Sequence, residues 1–154
     1  MYTFHCLRST RFTACLALIV LSLPCSAQEL DKKDQLKRFF GNTMEPKEAK
    51  KYAAALATLI TNAAHPSAQD VDCLKHEIKW GDRVCFTRMH VEYYGGLTGK
   101  QYAATINIVL NTLDGDDQWQ VDRITFDDAA NRIPASKQKL AAVKRKLNKV
   151  LSDE

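Results

Sequence analysis

No Gly-x-Ser-x-Gly elbow occurs in the 154 residues of this chain, which removes the strand-turn-helix serine nucleophile of α/β-hydrolases. No His-Glu-x-x-His occurs either. The histidines beyond residue 27 are His65, His76 and His90, none within one helical turn of another, so the helical zinc pair is missing. Gly95 to Lys100 resembles a phosphate-binding loop but lacks its essentials. Tyr94 stands where a glycine is required, and Gln101 where Ser or Thr must follow the lysine. Asp114-Gly115-Asp116-Asp117 lacks the alternating carboxylates and distant glutamate of a calcium loop and reads as a solvated hairpin turn. Cys73-x-x-His76 is a single pair with no second pair at matching spacing, which is too little for a metal site. No cofactor and no metal is expected. There is no internal repeat, low-complexity tract or linker, and no strong excess of one charge.

What is present begins with an export signal. Met1 to Arg11 is polar and carries Arg8 and Arg11. Phe12 to Leu23 is mostly apolar, and Pro24 ends that run. Cys25 and Ala27 occupy the two small-residue positions before a signal-peptidase cut, so cleavage is expected after Ala27. The apolar run is shorter than the about 20 residues of a spanning helix. The alternative is an uncleaved anchor. Pro24 before Cys25 argues against lipid attachment there. Residues 28–154 are then one domain, periplasmic or secreted, with no further transmembrane segment. The chain's net charge of +4 falls to about +2 once Arg8 and Arg11 leave, which gives no support to nucleic-acid binding. Three of the five cysteines leave with the signal. Cys73 and Cys85 remain, and an exported pair is most simply a disulfide. It would close a loop of about a dozen residues and contribute roughly 3 kcal/mol. The alternative is two separate buried thiols.

Periodicity gives the order of elements. Asp34 to Phe40 is a short helix with Leu36, Phe39 and Phe40 on one side, ended by Gly41-Asn42. Pro46 opens a longer helix, with Ala49, Tyr52, Ala53, Leu56, Leu59, Ile60 and Ala63 on one face. Pro66 stops it near Ala64. Its many alanines predict close packing on a sheet. Strands are expected over Leu74 to Lys79 and Arg83 to Tyr94 around a turn at Trp80-Gly81-Asp82, with Cys85, Thr87, Met89, Val91 and Tyr93 sharing a face. A strand over Tyr102 to Leu113 follows, and Gln118 to Asp127 returns, with a bulge between Val121 and Ile124. Ser136 to Ser152 is an amphipathic helix with a stripe of Leu140, Val143, Leu147, Val150 and Leu151. The fold class is α+β: a curved antiparallel sheet of about four strands packed against N-terminal helices, with a C-terminal amphipathic helix.

Two sets of residues are candidates for function. Tyr93, Tyr94, Gly95, Gly96, Leu97, Thr98 and Lys100 combine aromatic anchors with adaptable backbone, as partner-binding loops do. Asp72, His90 and Tyr93 could instead meet in a curved-sheet pocket that binds a small molecule or uses a strand-borne histidine as a general base. The bland alternative for His90 is an exposed or hydrogen-bonded ring. Lys137, Lys139, Lys144, Arg145, Lys146 and Lys149 make the last helix basic. That suits either a solvated face or weak contact with an anionic surface.

The run Gln118-Trp119-Gln120-Val121-Asp122-Arg123-Ile124-Thr125-Phe126, after a long strand and hairpin, resembles the closing strand of nuclear transport factor 2-like domains. The likeness extends from about Asp34 to Phe126, and the basic C-terminal helix departs from it. The chain also resembles, in size and plan, exported immunity proteins that neutralise cell-wall-degrading toxins such as amidases. This resemblance implies a periplasmic binding protein, not an enzyme, that occludes a secreted hydrolase with its Tyr94 to Lys100 loop.

Overall fold

The structure, a computed structural model, describes residues 33–96, 98–112, 118–128 and 134–152. The signal reading of residues 1–27, the Asp114-to-Asp117 turn and Leu97 lie outside the described residues. The order is α1 (Lys33–Phe40), α2 (Pro46–Ala64), β1 (Ala68–Trp80), β2 (Val84–Gly95), β3 (Gln101–Thr112), β4 (Trp119–Asp127) and α3 (Lys137–Leu151). The four strands form one open antiparallel sheet in the order β1-β2-β3-β4, and the helices pack on it. The chain is therefore α+β, as the change from helical to two-residue periodicity predicts. No described helix is long and apolar enough to cross a membrane.

Local chemistry sets the helix ends. Asn42 takes the left-handed backbone that terminates α1, with φ 53°. Gly41 donates its N–H to the Lys37 carbonyl at 2.7 Å. A Cβ on Gly41 would lie 2.8 Å from that same oxygen, so no other residue fits without a shift. Pro46 starts α2, and Pro66 follows its last turn. The buried stripe of α2 runs through Tyr52, Ala53, Leu56, Ala57, Ile60, Thr61 and Ala64. It is rotated slightly from the expected face, because Ala49, Leu59 and Ala63 end up half-buried. Small Ala53 and Ala57 let the helix axis approach β1.

The inner sheet face supplies the rest of the core. Cys85, Thr87, Met89, Val91 and Tyr93 of β2 point inward together, with Ala104, Ile106, Ile108 and Leu110 of β3. Register pairs Met89 with Ile106 and Ile106 with Phe126, so apolar rows cross the sheet. The bulge in β4 falls at Asp122, where Leu110 pairs with Val121 and Val109 with Arg123. It moves the inward series from Val121 to Ile124 and Phe126. β1 is longer than its sequence pattern predicts, starting at Ala68. It is irregular twice, between Gln69 and Asp72 and between Cys73 and Lys75, and these irregularities hide its alternation. α3 closes the structure with Leu140, Val143, Leu147 and Leu151 buried.

Candidate functional site

Two regions stand apart from the core. The first is the outer face of the sheet, which no described helix covers. An antiparallel sheet can leave one face to water, and polar residues usually fill it. Here Leu74, Phe86 and Tyr94 are exposed at 61%, 54% and 41%. Phe86 and Tyr94 point outward by alternation along β2. Leu74 is the extra residue of a bulge, opposite His90, because Cys73 pairs with Val91 and Lys75 with His90. Polar groups lie between these anchors. Arg88 Nε donates to Asn107 Oδ1 at 3.1 Å. Asn107 Nδ2 donates to Asp127 Oδ2 at 3.1 Å and to Thr125 Oγ1 at 3.3 Å. Gln101 Nε2 donates to Glu92 Oε2 at 2.7 Å. The ladder fixes long side chains that would otherwise lose rotamer freedom on binding.

The Tyr94-to-Lys100 segment is a compact turn and not an extended arm. Gly95 N–H donates to the Lys100 carbonyl at 2.9 Å, and Gly99 N–H to the Gly95 carbonyl at 2.8 Å. Gly96 N–H donates to the Ser67 carbonyl at 2.8 Å, tying the turn to the start of β1. A Cβ on Gly96 would stand 2.4 Å from that carbonyl oxygen, so this glycine permits a close backbone approach. Of the expected contact residues, Tyr94, Gly96, Thr98 and Lys100 are exposed and Gly95 is half-buried. Tyr93 is 1% exposed and belongs to the core, which corrects its place in a contact loop: neighbours on a strand face opposite ways.

The second region is the inner rim beneath that turn. Tyr93 donates its hydroxyl to Asp128 Oδ2. The His65 ring lies nearly parallel to Tyr93, with centroids 5.8 Å apart, and edge-on to Phe126 at 5.3 Å. Tyr102 stacks on the other part of Tyr93 at 5.5 Å. A hollow of about 260 Å³ opens here. His65 is 6% exposed. Burial holds its pKa below the ordinary histidine value, against the opposing pull of the Asp128 carboxylate. A larger hollow of about 410 Å³ lies at the opposite end, where Trp80 and Trp119 meet edge-to-face at 4.7 Å above Phe40, Leu110 and Leu151.

The expected trio of Asp72, His90 and Tyr93 is not assembled. His90 points to the outer face, with Nδ1 3.5 Å from Thr105 Oγ1. Asp72 is exposed on β1, opposite Glu92. Tyr93 points inward and meets His65 and Asp128 instead. Two sequence signals lead to those residues. The α2 row Ala53-Ala57-Thr61, stepping by four, reaches His65. The post-bulge alternation Ile124-Phe126 reaches Asp128.

The Cys73–Cys85 bridge is likewise corrected. Both thiols are free. Cys85 pairs across the hairpin with Trp80, and Cys73 with Val91. Six positions along β2 separate the two sites, about 20 Å at strand spacing, whereas bridged Cα atoms lie within about 7 Å. Burial pushes the Cys85 thiol up to about 11 and raises that of Cys73 as well. In the basic last helix, Lys144 Nζ donates to the Asp122 carbonyl, so one of its cations serves the bulge.

No protein-family model matches the chain, and no curated protein or solved structure was found to be similar to it.

Proposed function

We propose that this is an exported binding module that acts by contact, inhibiting a secreted cell-wall hydrolase through the outer face of its four-stranded sheet, anchored on β1 and β2. The observation that carries the reading is the uncovered sheet face with Leu74, Phe86 and Tyr94 exposed on it. Residues of this size on an otherwise polar face are the anchors that dominate binding energy. Three interstrand gaps of about 4.8 Å and strands of about 35 Å give a plan area of roughly 500 Å². Protruding side chains raise the accessible area toward the about 800 Å² that a standard interface buries on each partner. The inner face supports the same reading from the other side. It is spent on the core, so the sheet meets other molecules with its outer face. The Tyr94-to-Lys100 turn flanks this surface and extends it past Tyr94.

Secreted peptidoglycan amidases and muramidases assayed with the purified protein test the proposal. One of them should lose activity at stoichiometric protein. Phe86→Ser with Tyr94→Ser should weaken that inhibition at least about tenfold, without lowering thermal stability. Recovery from the cell envelope as a lone monomer, with every hydrolase unaffected, would overturn the reading.

A further inference from the structure

His65 closes the buried row of α2 at the point where α2, β2 and the start of α3 meet. The Ser136 N–H donates to the Ala64 carbonyl at 3.1 Å, which holds the entry to α3 against the end of α2. The residue is 6% exposed, and its ring faces the hollow at the rim with the Asp128 carboxylate nearby. The ring lines the rim hollow together with Ser67, Tyr93, Thr98, Tyr102 and Ser136.

The hollow has a directional shape. His65 and Tyr93 are 15° from parallel, and Tyr93 and Tyr102 are 28° from parallel. The row His65, Tyr93 and Tyr102 gives the hollow an aromatic wall, which suits a flat guest better than a globular one. A volume of about 260 Å³ suits a single ring with its first substituents. A neutral imidazole has one accepting nitrogen, and the guest's complement to it is an O–H.

We propose that this hollow binds a small uncharged planar molecule of the phenol class, its ring beside Tyr93 and Tyr102 and its hydroxyl donating to His65. The site lies on the inner rim beneath the Tyr94-to-Lys100 turn, sharing Gly95 and Thr98 with it, whereas the binding reading is anchored on Leu74, Phe86 and Tyr94 of the outer face. The two stand or fall separately. Affinity for phenol itself is on the order of millimolar, given seven heavy atoms and one new hydrogen bond.

The test uses protein purified after expression of the full chain, titrated with phenol, benzene and cyclohexanol and followed by NMR. Phenol should shift the amides of Ser67, Gly95 and Thr98 and the ring nitrogens of His65, and the shifts should saturate. Benzene lacks the hydroxyl and cyclohexanol lacks the flat ring. Each should bind about fivefold or more weakly, as expected for the loss of one modest interaction. His65→Phe keeps a ring and removes the acceptor, and should abolish the preference for phenol over benzene. No saturation below the solubility of phenol, equal responses to all three probes, or an undiminished phenol preference in His65→Phe would each overturn the proposal. If His65→Phe fails to fold, the wild-type His65 ring nitrogens decide. Ring-nitrogen shifts that move and saturate with phenol sustain the proposal, and shifts that stay still while phenol is added refute it.

Discussion

β4 is an edge strand of the sheet, so backbone groups on its outer edge have no neighbouring strand, and α3 supplies partners for those of Val121. Asn148 Oδ1 accepts the Val121 N–H at 2.6 Å, and Asn148 Nδ2 donates to the Val121 carbonyl at 3.1 Å. One side-chain amide therefore stands in for a residue of a fifth strand. Val121 is 1% exposed, so water cannot replace those bonds. Asn148→Ala leaves one donor and one acceptor unpaired at about 1–3 kcal/mol each. Partial relaxation of the edge strand lowers the total to about 2–4 kcal/mol, or a fall in Tm of roughly 10 °C. Urea titration of the purified protein reads the loss as a lower midpoint at unchanged slope. Asn148→Asp separates geometry from packing. Its carboxylate still accepts the N–H but faces the Val121 carbonyl without a donor, so it should recover only part of the loss. Hydrogen exchange at Val121 should accelerate in both variants. A loss below about 0.5 kcal/mol for Asn148→Ala, the range of ordinary surface changes, would refute the strand-mimic argument.

Acid should destabilise the protein through buried His65 and half-buried His76. Burial lowers the folded-state pKa of His65 and of His76 below the ordinary 6.5, so the unfolded chain takes up protons first. The stability these rings contribute is complete above about pH 6.5 and is lost as the pH falls from there toward the folded-state values. Urea midpoints at pH 7.5 and pH 5.5 should differ in that direction, and a flat or rising midpoint on acidification contradicts it. Alkylation distinguishes the thiols. Cys85, fully buried and with its pKa pushed up to about 11, should react only on unfolding, while half-buried Cys73 should react slowly in the folded protein. Intact mass of residues 28–154, purified without reductant, should match free thiols at Cys73 and Cys85, and a mass two hydrogens lower would contradict the strand register.

Much of the architecture was legible from spacing. Helical periodicity placed α1, α2 and α3 within a residue or two, because each carries an apolar stripe with a proline or a left-handed residue near one end. The two-residue alternation of β2 and β3 and the bulge near Asp122 were equally readable. β1 was shortened in that reading, since two irregularities break its alternation and no propensity scale anticipates a bulge that depends on a partner strand. The disulfide expectation came from compartment and count, and only the strand register sets Trp80 opposite Cys85 and Val91 opposite Cys73.

By itself the sequence determined which residues could share a face, because side-chain direction follows from a period of two or of 3.6 along one element. It grouped Cys85, Thr87, Met89, Val91 and Tyr93 on one face of β2, and Leu140, Val143 and Leu147 on one stripe of α3. Only the tertiary structure decided which faces meet: His65 from a helix end, Tyr93 from mid-sheet and Asp128 from beyond the last strand converge at one rim, while His90 and Asp72 stay apart from them. Such meetings are set by strand register and helix docking, and those depend on the free energy of the whole core and not on any local run of residues.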